Sequence, residues 1–204
     1  GYTVNIQQAA TRSIHSGTVA LTQGIIDSGE QITVSEGGKT VNLLTEKGKS
    51  VELTLNDLDS AINDAGLDLE LIRPYPPLTD GNAPQIISFR HKEFGSKHTF
   101  QVASNTAGLV SKVSNVSVSV ENGLDVSGVI GGEETYGKGQ IFTGALGDGT
   151  TEGSRVRYTG ESIPVGGQAG TLTFSQNSLT FQVGANANQF SEISLRSIKT
   201  SDLG

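Results

Sequence analysis

The sequence predicts a mainly β chain built from antiparallel β domains, with a small α+β module and one short helix. Three observations predict it. Val, Ile, Leu and Phe alternate with polar residues in short runs along the whole length, the pattern of half-buried strands. Glycine supplies 27 of the 204 residues, about double the usual share of ~7%. Turn signals recur at roughly 8–12-residue intervals through the second half, the spacing of antiparallel sandwiches and open barrels.

Taken in order, Tyr2-Thr-Val-Asn-Ile-Gln-Gln8 alternates and reads as a strand. Ala9 to Leu21 has no clear period and receives no element. Gln31–Val34 reads as a strand closed by Glu36-Gly37-Gly38, and Lys39–Thr45 as a second. After the turn Lys47-Gly48-Lys49, Ser50–Leu55 reads as a third. The helix is expected at about 56–65. Asn56 can cap it, and Asp57 and Asp59 sit at the positive end of its dipole. Leu58, Ala61, Ile62 and Ala65 form its apolar stripe, and Gly66 ends it in the left-handed conformation. Leu67–Ile72 alternates again. Pro74, Pro76, Pro77, Asp80-Gly81 and Pro84 make 73–85 a linker or surface loop. Strands follow at Gln85–Arg90 and His98–Ala103, with a turn at Phe94-Gly95-Ser96. Further strands are expected at Val116–Val120, Asp125–Ile130, Gln140–Thr143, Arg155–Thr159, Thr171–Phe174 and Leu179–Val183.

Composition narrows the chemistry. Fourteen Lys and Arg against 21 Asp and Glu leave a net charge of -7, which repels phosphate backbones and argues against nucleic acid and anionic membranes as partners. Apolar runs fall well short of the ~18 residues that span a bilayer. Cys is absent, so disulfides, thiolate metal sites and cysteine catalysis are excluded together. His91 and His98 could share neighbouring strands, but Arg90, Lys92 and Lys97 make that setting electropositive, and a metal would need a further ligand. Surface histidines are the expectation.

Other candidate motifs fail on spacing. Gly37-Gly38-Lys39-Thr40 imitates a phosphate loop, but Thr33 stands where its first glycine belongs. Gly137-Lys-Gly139 opens a dinucleotide-type pattern that Phe142 does not complete, so turn glycines are expected there. Glu133-Glu134 would point to opposite faces of a strand and reads instead as a solvated turn. Gly147-Asp148-Gly149 lacks the further acids of a calcium loop, and no GxSxG or HExxH pattern occurs. The expectation is a non-enzyme with no catalytic residue, cofactor or metal. Tyr75 and Tyr136 are the aromatics best placed to form a ligand platform. Asn115-Val-Ser117 is a formal glycosylation sequon.

Leu179-Thr-Phe-Gln-Val-Gly-Ala-Asn-Ala-Asn-Gln189 closely resembles the segment by which bacterial flagellins return from their variable outer region to the C-terminal filament-core domain. Its motif residues are Leu179, Phe181, Val183, Gly184, Asn186 and Asn188. Ser194–Gly204 continues the resemblance, with Ile198 where flagellins often carry Met. Gly95–Gly108, Leu124–Gly131 with Gly137–Gln140, and Val156–Gly160 are similar to outer domains of long flagellins. Residues 39–72 resemble the small repeat inserted in many of them, and Tyr2–Thr11 the strand that opens such an insertion.

The resemblance implies a structural subunit of the flagellar filament, here its solvent-facing outer domains, secreted and extracellular, supporting motility and surface presentation. Self-association would run through long terminal helices absent from this chain, which alone would stay monomeric. Two alternatives are the outer domains of the filament cap protein, which share the Gly137–Gln140 and Arg157–Gly160 wording, and a carbohydrate-binding or adhesive β-domain. An insertion has its two ends close together, so strand 2–8 is expected near 171–183. The expected domains are a discontinuous β-rich outer domain, 1–25 plus 109–178, an inserted α+β module at 26–108, and the start of the return to the filament core at 179–204.

Overall fold

A computed structural model describes residues 1–74, 78–147 and 149–173, together with strands Leu179–Gln182 and Phe190–Ile193. The elements run β1 (Tyr2–Gln8), β2 (Arg12–Leu21), α1 (Gln23–Asp27), β3 (Gln31–Glu36), β4 (Lys39–Leu44), α2 (Val51–Asp64), β5 (Leu69–Leu71) and β6 (Gln85–Phe94). They continue with β7 (Gln101–Ser104), β8 (Val118–Ser119), β9 (Ser127–Ile130), β10 (Glu133–Lys138), β11 (Ile141–Gly144), β12 (Arg155–Arg157) and β13 (Gln168–Leu172). The last two are β14 (Leu179–Gln182) and β15 (Phe190–Ile193). The described strands pair only antiparallel, so the chain is mainly antiparallel β with a small α+β part.

Two hydrophobic cores organise these elements. The first lies among β2-β6-β5, β4-β3-β7-β8 and the helices, where Ile26, Ile32, Val34, Leu55, Leu58, Ile62, Phe89 and Phe100 are buried. Phe89 and Phe100 meet edge to face at 6.2 Å. Leu21, Leu109, Val110 and Val120, outside the 26–108 span, are buried in this core too. The second core lies on the sheet β12-β11-β10-β9-β1-β13, where Val4, Ile6, Ala10, Val126, Ile130 and Phe142 are buried. The chain passes between the cores at 9–11 and again at 121–125, and the two passes are tied together. Thr11 N–H donates to the Leu124 carbonyl (2.9 Å), and Leu124 N–H to the Thr11 hydroxyl (2.9 Å). The paired ends are also visible, because β1 lies beside β13 with Tyr2 opposite Leu172.

The helix begins earlier than its pattern predicts. Ser50, not Asn56, is the cap, its hydroxyl accepting from Leu53 N–H at 3.2 Å, and Val51–Asp64 is helical. Ser50–Leu55 is therefore no strand. Val51, Leu53 and Leu55 fit a period of two, but Val51, Leu55, Leu58 and Ile62 fit the helix period equally. The burial decides, since Leu53 is 53% exposed while the other four face the core. Gly66 follows the helix at φ 65°, as expected.

A second, five-residue helix, α1, is capped by the Thr22 side chain. It carries too little sequence to show a period. β2 was hidden for a different reason: its register against β6 shifts between Arg12 and Ile14 and again between Ser16 and Ala20, which breaks the alternation. At the second irregularity Thr18 and Val19 N–H both donate to the Gly108 carbonyl. A Cβ on Gly17 would stand 2.0 Å from the Leu109 carbonyl oxygen, so a loop from across the core occupies that space.

Candidate functional site

A cleft of about 610 Å³ opens among the described residues on the side where the two cores meet. One wall is the end of the six-stranded sheet. Lys138 lies opposite Ile141, Ile141 opposite Arg157, and Thr143 opposite Arg155. Residues directly opposite share a face, so Lys138, Arg155 and Arg157 line the cleft while Phe142 and Val156 turn to the second core. The other wall is the end of β6 and the turn after it, contributing Lys92, Glu93, Phe94, Lys97 and His98.

Arg12 and Asp125 complete the lining, each held by neighbours. The Arg12 guanidinium lies 4.3 Å from the Phe94 ring centroid and donates from Nη1 to Glu70 Oε1 at 3.1 Å. Its Nε is buried without a hydrogen-bond partner among the described residues. Glu70 also accepts from Arg90 Nε at 2.6 Å. That hydrogen bond is the largest influence holding its carboxyl below the usual range, against an opposing effect of burial and with help from the charges of Arg90, Arg12 and Lys92.

Asp125 fastens the turns that form the cleft floor. Its carboxylate accepts from Ser96 N–H (3.1 Å), the Ser96 hydroxyl (2.5 Å) and Gly139 N–H (2.6 Å). Burial raises its pKa, but these hydrogen bonds and the nearby His98 outweigh that, and the net direction is down. The cleft thus carries Arg12, Lys92, Lys97, Lys138, Arg155 and Arg157 against Glu93 and Asp125. Except for Arg12, none of these cations forms an ion pair among the described residues.

The residues singled out from sequence distribute unevenly around this site. Tyr136 is 66% exposed on β10, opposite Thr143 of the cleft wall, so it shares the cationic face. Tyr75 lies outside the described residues, as do Val183, Gly184, Asn186 and Asn188. Leu179 and Phe181 belong to β14, opposite Ile193 and Ser191 of β15.

His91 is not a surface histidine. It is buried in the first core, its ring centroid 4.9 Å from that of His98. Glu93 N–H donates to its Nδ1 at 3.0 Å, which leaves the proton on Nε2, 3.6 Å from Glu36 Oε1. No group of three His, Asp or Glu is placed to hold a metal ion among the described residues.

Glu133 opens β10 and does not sit in a solvated turn. Its carboxylate accepts from Thr150 and Thr151, through both backbone N–H groups and both hydroxyls, so it fastens a neighbouring loop. Gly137 is no turn glycine either. It lies within β10 at a point where a Cβ would stand 1.8 Å from the Val126 carbonyl oxygen. Gly139, at φ 57°, does make the turn.

The cations around His91 are neighbours in the sequence, whereas their convergence with Arg155 and Arg157 is not written there. The one available signal was Arg155-Val-Arg157, which puts two guanidinium groups on one strand face. Their meeting with Lys92 and Lys97 depends on how the two cores pack.

No protein-family model and no curated protein sequence matches the chain. Among solved structures, it is similar to the D2–D3 domains of the flagellar cap protein FliD from Escherichia coli, at 14% identity and a TM-score of 0.46, covering 72% of this chain and 78% of that one. It is similar also to the FliD D2–D3 domains from Serratia marcescens, at 12% identity and a TM-score of 0.47, covering 78% and 92%. Against the E. coli D1–D2–D3 structure it spans only 45% of that chain's length, again with a TM-score of 0.46.

Proposed function

We propose that the chain forms solvent-facing outer domains of an extracellular bacterial flagellar subunit, with a structural and not a catalytic role. The observation that carries the reading is the pairing of β1 with β13, Tyr2 opposite Leu172. A segment that leaves a core domain and re-enters it needs its two ends side by side. The residue wording at 95–108, 124–140 and 156–160, similar to flagellar outer domains, supports it. So does a Cys-free, glycine-rich chain with few charges, which suits export and folding outside the cell.

Within this reading the division into an α+β module and a β-rich module follows the two cores. The first module takes β2 through β8, and the second takes β1 with β9–β13. The bonds that build an assembly would be made by helices outside this chain, and the chain alone would be monomeric.

Two subunits fit the proposal. Leu179–Gln189 resembles the flagellin return segment, while the wording of Gly137–Gln140 and Arg157–Gly160 is shared with the filament cap. The deciding experiment is electron microscopy of the parent protein under polymerising conditions, with seeds added. Small closed rings or plates are the cap outcome, and long filaments the flagellin outcome. A parent protein that forms neither, and that localises away from the flagellum in cells, would remove the proposal.

A further inference from the structure

We propose that the cleft between the two cores binds an acidic saccharide, with Lys138, Arg155 and Arg157 on one wall and Lys92 and Lys97 on the other as its counter-charges. This goes beyond the structural role and does not depend on it. The first ground is the distribution of charge. The chain has 14 Lys and Arg against 21 Asp and Glu, yet among the described residues six Lys and Arg line this one cleft beside two acids, Glu93 and Asp125. Holding like charges together is unfavourable unless something neutralises them.

The carboxylates beside them do not pair with them among the described residues: Glu93 forms no ion pair. Glu70 is taken by Arg12 and Arg90, and Asp125 is filled by Ser96 and Gly139. Lys92, Lys97, Lys138, Arg155 and Arg157 are exposed and without ion pairs among the described residues.

Size and lining then narrow the ligand. A volume of about 610 Å³ lies within the ~300–1,000 Å³ of small-ligand sites. It is too large for one inorganic anion. Guanidinium forks match carboxylate and sulfate oxygens two at a time. Thr143 and Gln140 in the lining offer hydroxyl and amide groups to sugar hydroxyls, and Tyr136, exposed on the same sheet face, offers a flat ring to a sugar ring. The acidic remainder of the surface turns away a long polyphosphate.

Isothermal titration of the 204-residue chain at low ionic strength tests this with four probes: tetragalacturonate, a heparin-derived tetrasaccharide, neutral maltotetraose, and inorganic sulfate. The two charged oligosaccharides separate a carboxylate source from a sulfate source. Binding of either, weakened by added salt and not matched by maltotetraose or sulfate, is the expected result.

The exposed pair Arg155→Glu and Arg157→Glu should weaken it by about tenfold or more, and Arg155→Gln with Arg157→Gln by less. Tyr136→Ala should weaken it a few-fold, and Lys112→Glu, on an exposed lysine outside the cleft, should leave it unchanged. Failure of both acidic probes overturns the proposal. So does equal binding of maltotetraose or sulfate, or full affinity in the Arg155/Arg157 variants. Self-association of the chain that these variants abolish would assign the cleft to a second copy and overturn it as well. None of these outcomes bears on whether the parent protein builds a filament or a cap.

Discussion

Glu30 is a buried carboxylate, 2% exposed, with no basic side chain paired to it among the described residues. Its Oε1 accepts from Asn105 N–H (2.6 Å) and Thr106 N–H (3.0 Å), and its Oε2 from the Thr106 hydroxyl (2.5 Å). The carboxylate thereby holds the loop after β7 against the start of β3. Glu30→Ala removes the acceptor for all of these donors. Asn105 N–H retains the Gln31 carbonyl at 3.3 Å, so the loss falls mainly on the two Thr106 groups. A hydrogen bond to a charged group contributes about 1.5–3 kcal/mol. Thr106 is only half-buried, and water recovers part of that. The expected loss is therefore about 2–4 kcal/mol.

Glu30→Gln keeps one acceptor but turns an NH2 group toward a donor, and about 1–2 kcal/mol should go. Urea unfolding followed by far-UV circular dichroism measures both, with the transition of the first core as readout. Exchange of the Thr106 amide should quicken in the same order. A Glu30→Ala protein within about 0.5 kcal/mol of the parent, or Ala and Gln variants of equal stability, would refute the reasoning.

Two other predictions test the second core and the acid limb. Gly137→Ala forces a methyl against the Val126 carbonyl oxygen at 1.8 Å, a backbone clash that no side-chain rotation relieves. About 3 kcal/mol should be lost from that core, against about 1 kcal/mol for Gly132→Ala, where φ is 87° but the space is open; equal losses would count against a steric cause. The second prediction concerns pH. Asp125, Glu70 and Glu133 all have folded-state pKa values below their ordinary 3.8 and 4.5. Their contribution is present above those values and is lost as pH falls through the lower folded ones. The urea midpoint should be insensitive to these groups from pH 7 to 5 and fall below about pH 4, less steeply in Asp125→Asn. An identical fall in that variant would show that Asp125 plays no part.

The class of fold is legible from local pattern alone, because alternation and turn residues are local properties. β1, β3, β4 and the hairpin at Gly37-Gly38 could be read directly, as could the end of α2 at Gly66. What failed locally failed for identifiable reasons. Val51, Leu53 and Leu55 satisfy two periods at once over so short a span, and only the burial of Val51 and Leu55 with Leu53 left outside resolves them. β2 loses its alternation because the loop at Gly108–Leu109 presses into it from about ninety residues away.

The cleft was beyond local reading altogether. Arg155-Val-Arg157 announces that two guanidinium groups share a face, and nothing in that triplet says what lies opposite. The answer depends on the sheet order that places β12 beside β11, and on the clasp of Thr11, Leu124, Ser96, Asp125 and Gly139 that seats β6 and its turn against the six-stranded sheet. Contacts between residues so far apart in the chain form only when the two cores meet. Tertiary structure alone therefore decided where the positive charge of an acidic protein would be gathered.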